Sequence, residues 1–323
     1  MTKKLDSKKL LTICVPTYNR KGCIKKRIHN YEALSRFEEV NILIADNFST
    51  DGTFEYLKKT FRDLKNVSII QHQKNIGAAS NIVQFFDIVE TEYLVLCSDE
   101  DEVIAENIET YLEFLASEKP HYIRGNFYEL DGGLKRRCAN RVAEHLSSKN
   151  IAINSTYASG LIFNTKSSKH YISFLKEKIK TSYYTRFFPH QELLYWLWSK
   201  HDKGFYYLCT PIVVKRDNVE INAISNDGKS QRGFREWESV SFRWKIFIDK
   251  QDALFEIGGD HSCQEKFRKI IDNHKKGIFH VLKTAVCRER PDILEMADSK
   301  LVIFHLSQAF IFLKKILRQK SKR

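Results

Sequence analysis

Over the first 117 positions, apolar residues fall into short runs, each followed by a polar loop and then by apolar residues at helical spacing. LTICV (11–15) is closed by Pro16, and helical spacing resumes near Lys21. VNILIAD (40–46) leads through NFSTDGT into a helix over about 53–61, and VSIIQ (67–71) through a Gly-containing loop into one over about 78–89. EYLVLC (92–97) leads through SDEDEV into a helix over about 106–116. Apolar runs this short, bounded by turn residues, fit strands buried on both faces. Their alternation with helices predicts a parallel, doubly wound sheet with right-handed crossovers.

The middle of the chain is less regular. HYIRGNFYEL and AINSTYASGLIFNT read as strands around a basic loop from Lys135 to Arg141, PIVV as strand-like, and QELLYWLWSK as a helix. From about Arg235 the pattern turns helical, and the polar stretch SNDGKSQRG suggests a boundary near 230. The expected organisation is a domain over 1–230 and a helical region with a basic tail over 231–323. The first of these divides into a part over about 10–117 and a second part over about 118–230.

In an open α/β sheet, ligands bind beyond the carboxyl ends of the strands. The loop after each predicted strand is therefore informative. The first strand leads to Pro16-Thr17-Tyr18-Asn19-Arg20, the second to Asp46-Asn47 and Ser49-Thr50-Asp51-Gly52. The third leads to Asn75-Ile76-Gly77-Ala78-Ala79-Ser80-Asn81 and the fourth to Asp99-Glu100-Asp101-Glu102. Four consecutive carboxylates repel one another unless a cation sits among them, and oxygen ligands of this kind suit Mg²⁺ or Mn²⁺. In a turn, Asp99 and Asp101 share a side while Glu100 points away, so one can hold a metal and the other reach a ribose hydroxyl. The competing account is a solvated loop whose carboxylates favour a helix N-terminus. Asp46 reads as a ligand group able to accept from a pyrimidine imide N–H, Asp51 as a helix cap with Thr50 competing. Tyr18 can stack on a base or simply pack.

The 323 residues, 42% hydrophobic and 29% charged, suit a folded protein with a sizeable core. The polar start MTKKLDSKK does not read as a secretory signal, and no window of 18 apolar residues predicts a spanning helix. Seven cysteines, scattered and without a CxxC pair, predict neither a disulfide framework nor a zinc ribbon and point to a reducing cytoplasm. The net charge is +13, of which +10 lies in residues 1–9 and 299–323. A nucleic-acid binder spreads its charge over a folded face. Basic ends on a near-neutral body suggest a surface anchor instead.

VPTYNR, ADNFSTDGT, NIGAASN and the DxD run Asp99-Glu100-Asp101 together resemble glycosyltransferase family 2. The likeness is strong over about 10–117 and continues more weakly to about 215. It implies an α/β fold of GT-A type: a Rossmann-like, mostly parallel central sheet flanked by helices, here with a C-terminal helical extension. It also implies inverting transfer of a sugar from a nucleotide donor, UDP-linked foremost, to an acceptor hydroxyl. By this resemblance Pro16, Thr17, Tyr18 and Asn19 line the nucleotide site and Asp46 contacts the base. Asn75, Gly77 and Asn81 border the nucleoside, Asp99 lies near the ribose, and Asp101 ligates a divalent metal, Mn²⁺ or Mg²⁺, on the diphosphate.

Such a displacement needs a base for the acceptor proton and positive charge for the leaving diphosphate. Relatives place an acidic pair at a helix start corresponding to Phe188-Pro189-His190-Gln191-Glu192. The match here is partial, with Glu192 the first candidate base and His190 the second. Their alternative is structural: a first-turn carboxylate and a core histidine. Tyr157-Ala158-Ser159-Gly160 resembles a stretch that floors the acceptor pocket, or is a strand bulge. Tyr195, Trp196 and Trp198 read more readily as core than as sugar-stacking rings. Lys215-Arg216-Asp217-Asn218 is either a diphosphate clamp or a solvated charge cluster.

LVIFHLSQAFIFLKKILRQKSKR suits a helix in a membrane interface, or a final packed helix with a basic end. The expected protein is a peripheral enzyme on the cytoplasmic face of the membrane. Its acceptor would be a glycan or lipid-linked glycan in bacterial surface polysaccharide synthesis, with no nucleic-acid partner. The alternatives are a catalytically silent sugar-nucleotide or membrane-surface binding module and a nucleotidyltransferase. The latter would normally carry a Gly- and Arg/Lys-rich phosphate loop, and the Thr-Tyr-Asn-Arg loop has neither GxG nor GK.

Overall fold

The computed structural model describes residues 6–130, 132–135, 142–147, 151, 157–216 and 240–258, together with Phe267 and Ile270. The basic loop at 136–141, Asp217-Asn218, the boundary near 230 and the tail at 301–323 fall outside these residues.

The first half alternates strands β1 (Leu11–Thr17), β2 (Val40–Asp46), β3 (Val67–Gln71) and β4 (Tyr93–Leu96) with helices. These are α1 (Lys21–Leu34), α2 (Thr53–Thr60), the short pair α3 (Ala78–Val83) and α4 (Phe85–Ile88), and α5 (Ile108–Glu118). The sequence reads the third helix as continuous; it breaks into two at Gln84. A two-residue strand, β5 (Glu102–Val103), leaves the acidic turn. The second half contributes β6 (Tyr122–Tyr128), β7 (Ala143–His145), β8 (Leu161–Asn164) and β9 (Phe205–Val214). Its helices are α6 (Thr165–Thr181), α7 (Tyr183–Phe187), α8 (Pro189–Lys200) and α9 (Val240–Ile257).

The nine strands among the described residues form one sheet in the order β3-β2-β1-β4-β8-β6-β9-β5, with β7 on β9. The β3-β2-β1-β4 part is parallel, as its two-sided apolar strands predict. β8 then runs antiparallel between β4 and β6, and β9 parallel to β6. Alternation sorts each strand between two cores. Leu11, Ile13 and Val15 of β1 with Ile42 and Ile44 of β2 face α1, α2 and α5. Cys14, Leu43 and Ala45 face α4, α6 and α8. β1 extends past its predicted end through Pro16, which a central strand seldom tolerates. β4 stops opposite Cys14, so Pro16 pairs only with Ala45 of β2.

α9 adds Ile246, Ala253 and Leu254 to the core that holds Tyr184, Leu194 and Leu197, so the start of the C-terminal region shares the main core. Cys209 on β9 is disulfide-bonded, which departs from the all-thiol reading of the cysteines. No helix among the described residues is long and apolar enough to cross a membrane.

Candidate active site

β1 and β4 are neighbours whose loops diverge, so their carboxyl ends mark the switch point of the doubly wound half. There Thr17 at the end of β1 donates its hydroxyl to Asp99 at 2.6 Å. Asp99 is buried, and the loss of solvent pushes its carboxyl from 3.8 up to about 6, against the pull of Arg20 and Thr17. Asp101 is only 1% exposed and burial raises it also. Its Oδ2 accepts from Ser159 Oγ at 2.6 Å and from the Tyr157 hydroxyl, and its Oδ1 from the Arg216 backbone N–H at 3.2 Å.

The other two carboxylates of the run are neutralised by arginine. Glu100 lies 3.8 Å from Arg20, while Arg27 binds the Glu100 carbonyl at 3.0 and 2.9 Å and Glu102 at 3.1 Å. Arg216 also pairs with Glu102, at 2.6 Å. The mutual repulsion that sequence reasoning assigned to a metal is thus relieved for Glu100 and Glu102 by three arginines. Arg216, read as part of either a diphosphate clamp or a solvated charge cluster, spends its side chain on Glu102. Lys215 bonds Glu129 at 3.2 Å and lies 5.0 Å from the centre of the Tyr157 ring.

The other loops are tied to each other. Asn19, at φ +52°, accepts from Thr50 N–H at 2.7 Å and donates its own N–H to Ser49 at 2.8 Å. Asp51 accepts from the N–H groups of Lys21 and Thr53, the first residues of α1 and α2, so one carboxylate holds two helix starts. Asp46 is buried and accepts from Ser49 N–H and from Gln71 at 3.0 Å, and from the Ser49 hydroxyl. Asn47, not singled out from sequence, donates to Asn75 and accepts from Ile76 N–H, both at 2.9 Å, joining the second loop to the third. Asn75 also accepts from Gly77 N–H at 2.9 Å. Gly77, at φ +85°, opens on free space, and Asn81 ties α3 to the Ala45 carbonyl at 3.0 Å. Pro16 and Tyr18 are half-buried on the first loop. Phe48, also missed, stands 44% exposed at φ +66° between Asp46 and Ser49, an unusual backbone for an aromatic residue.

The candidate bases lie in another layer. Glu192 is wholly enclosed: its carboxylate accepts from Thr185 at 2.5 Å and Tyr171 at 3.2 Å and lies 3.6 Å from Lys178. Burial raises its pKa, with Thr185 and Lys178 opposing. Glu192 is thus held in a buried hydrogen-bond network, and neither it nor His190 is exposed in this arrangement. His190 is buried in the first turn of α8, its ring edge-on to Phe188. Tyr195 and Trp198 are buried in the core, as their helical spacing favours. Tyr157 and Ser159, read as an acceptor floor or a bulge, instead reach the DxD carboxylate.

A parallel half-sheet whose acidic turn sits at its switch point is the architecture of GT-A glycosyltransferases, and known proteins agree. Residues 12–169 match the model of Glycosyl transferase family 2. The chain carries a family 2 domain and is a glycosyltransferase. It is 26% identical over 117 residues to abequosyltransferase RfbV of Salmonella typhimurium, a match spanning only 35% of either chain. It is 22% identical over 271 residues to the GalNAc(5)-diNAcBac-PP-undecaprenol beta-1,3-glucosyltransferase of Campylobacter jejuni, covering 82% of this chain and 84% of that one. In fold it is similar to S. aureus TarS 1–349 in complex with UDP, with a TM-score of 0.58, 13% identity and coverage of 91% and 78%. The mannosyltransferase PcManGT of Pyrobaculum calidifontis, in complex with GDP-Man and Mn²⁺, gives a TM-score of 0.52 at 13% identity, covering 95% and 82%.

Proposed function

We propose that this glycosyltransferase moves a sugar, with inversion, from a UDP-linked donor to a hydroxyl of a glycan or lipid-linked glycan. The setting we infer is the inner face of a bacterial cell membrane, in surface polysaccharide synthesis. The observation that carries the reading is the pair Asp99 and Asp101, buried together beyond β4 and beside Thr17 at the switch point. The UDP bound to TarS and the undecaprenol-linked glycan named for the Campylobacter relative favour the donor and acceptor classes.

The donor set fits Mn²⁺ or Mg²⁺ as a partner shared with the donor. Among the described residues no three metal-ligating side chains converge. One or two carboxylates completed by substrate phosphates are how Mg²⁺ is commonly held. Asp101 would hold the ion, which when bound supplies Lewis-acid charge to the departing diphosphate. In this reading Asp99 accepts from a ribose hydroxyl, Asp46 accepts from the base, and Tyr18 covers the base. With the Glu192 carboxylate engaged by Thr185, Tyr171 and Lys178, we assign the proton of the acceptor to the second candidate, His190, which would have to be uncovered from its buried place at the start of α8.

The test is a thermal-shift screen of UDP, GDP, CDP and ADP, each with and without Mn²⁺. A ligand that binds only the folded chain raises its stability by mass action. A shift with UDP and Mn²⁺ that Asp101→Ala abolishes is the expected result. Selective stabilisation by another nucleotide replaces the donor class. No shift with any of the four overturns the site and favours a catalytically silent binding module.

A further inference from the structure

Arg124 stands in the middle of β6 and is 2% exposed. Burying an arginine is costly unless its donors are met. Here one terminal nitrogen donates to two carbonyls of a single turn, Tyr157 at 3.1 Å and Ser159 at 2.6 Å. The guanidinium lies 4.6 Å from the centre of the Phe127 ring and 5.9 Å from that of Tyr157. The next residue allows the turn to approach. Gly125 donates its N–H to Gly160 at 2.9 Å. A Cβ at 125 would stand 2.5 Å from Ile212 and 3.2 Å from the Gly160 carbonyl.

The opposite side of that turn faces the acidic loop. Gly160 N–H donates to Leu96 at the end of β4 at 2.8 Å, and Ser159 Oγ accepts from Ser98 N–H at 2.9 Å. The hydroxyls of Ser159 and Tyr157 then converge on Oδ2 of Asp101, leaving Oδ1 with a single backbone N–H from Arg216. Carbonyls point to Arg124 and hydroxyls to Asp101, so the orientation of the carboxylate depends on where the guanidinium holds the turn.

We propose that Arg124 is a positioning residue that sets the Asp101 carboxylate through the Tyr157–Gly160 turn, and that the two hydroxyls are the contacts that transmit it. This rests on Asp101 holding the divalent ion with the donor diphosphate. Lysine has one nitrogen at its tip and lacks the planar fork, so Arg124→Lys restores the effect only in part.

The experiment titrates Mn²⁺ into the full chain with UDP present, following the free-ion electron paramagnetic resonance signal, and measures UDP affinity without metal in parallel. Partners that orient a metal ligand contribute about 10–100-fold in affinity. Arg124→Met is expected to weaken Mn²⁺ binding by that factor, with Arg124→Lys between it and wild type and metal-free UDP affinity unchanged. A folded Arg124→Met chain with wild-type Mn²⁺ affinity overturns the proposal, whatever its melting temperature. If Arg124→Met does not fold, the Tyr157→Phe/Ser159→Ala double variant decides, and unchanged Mn²⁺ affinity there overturns it equally. Failure of the wild-type chain to bind Mn²⁺ with UDP instead overturns the reading of Asp101 on which the proposal stands.

Discussion

Asp99 concentrates the electrostatics of the site in one group. Its carboxyl titrates near 6 in the folded chain against an ordinary 3.8, chiefly because it is desolvated. A raised acid pKa means the folded state holds the proton more tightly. The associated stability is fully present below about 3.8 and is lost as pH rises through about 6. At about 1.4 kcal/mol per pKa unit, the ligand-free chain should lose about 3 kcal/mol of unfolding free energy across that window. Urea melts at pH 4.5 and 7, which bracket the upper part of that window, should show a loss of about 2 kcal/mol in the wild type and a clearly smaller one in Asp99→Asn; equal losses in the two chains would refute it. Glu192 and His190 separate by a different pair of readings. His190→Gln should lower turnover by about 10²–10⁴-fold with UDP binding intact. Glu192→Gln sets an amide donor against Tyr171, Thr185 and Lys178 and should cost about 1–3 kcal/mol of stability. A Glu192→Gln chain that melts normally but does not turn over would return the base role to Glu192. At this scale the acidic pair was legible because it comes directly after an apolar strand. The enclosure of Glu192 was not, since Tyr171 and Lys178 reach it from another helix. Arg124 was equally hidden, because its carbonyl partners lie more than 30 residues away in the chain.

The helical layer shows why elements that read well singly gave an incomplete plan. The four parallel strands were legible from their apolar runs, and α8 from its aromatic spacing. β7 is three residues long with no fully buried position, so it leaves no periodic signal. How α9 attaches is a matter of one carboxylate. Asp249 accepts from the backbone N–H groups of Tyr183 and Tyr184, at the start of α7, and from the Ser182 hydroxyl. The unpaired N–H groups of that short helix are thus met by a residue more than 60 positions onward. Glu256, at the end of α9, pairs with Lys178, which also faces Glu192. Asp249→Ala should therefore cost about 0.5–2 kcal/mol, the usual value of a lost cap. Chemical denaturation measures it. No loss of stability would mean that α9 docks through Ile246, Ala253 and Leu254 alone.

For the whole molecule, the distribution of charge is the property that neither the sheet nor the site explains. The ends of the chain carry a net +10 of the total +13, so the body that folds around the sheet is close to neutral. In the described part the basic side chains near the site are occupied, Arg20, Arg27 and Arg216 by acidic partners and Lys215 by Glu129. The terminal segments, with their net +10, are then the expected main source of attraction to a polyanionic surface. Each Lys or Arg near an anionic membrane contributes about 1 kcal/mol, and the attraction fades beyond a Debye length of about 10 Å at 0.1 M salt. Neutralising Lys314, Lys315, Arg318 and Lys320 should thus weaken co-sedimentation with phosphatidylglycerol vesicles by at least about tenfold at low salt. Nucleotide-induced thermal shifts should stay as in the wild type, because the DxD turn takes its charge partners from Arg20 and Arg27 at α1 and from Arg216 just past β9. Wild-type binding lost in high salt would identify the attraction as electrostatic, and binding that survives both salt and neutralisation would assign it to apolar insertion. No binding to anionic vesicles would remove the membrane from the proposed function while leaving the donor chemistry at Asp99 and Asp101 untouched.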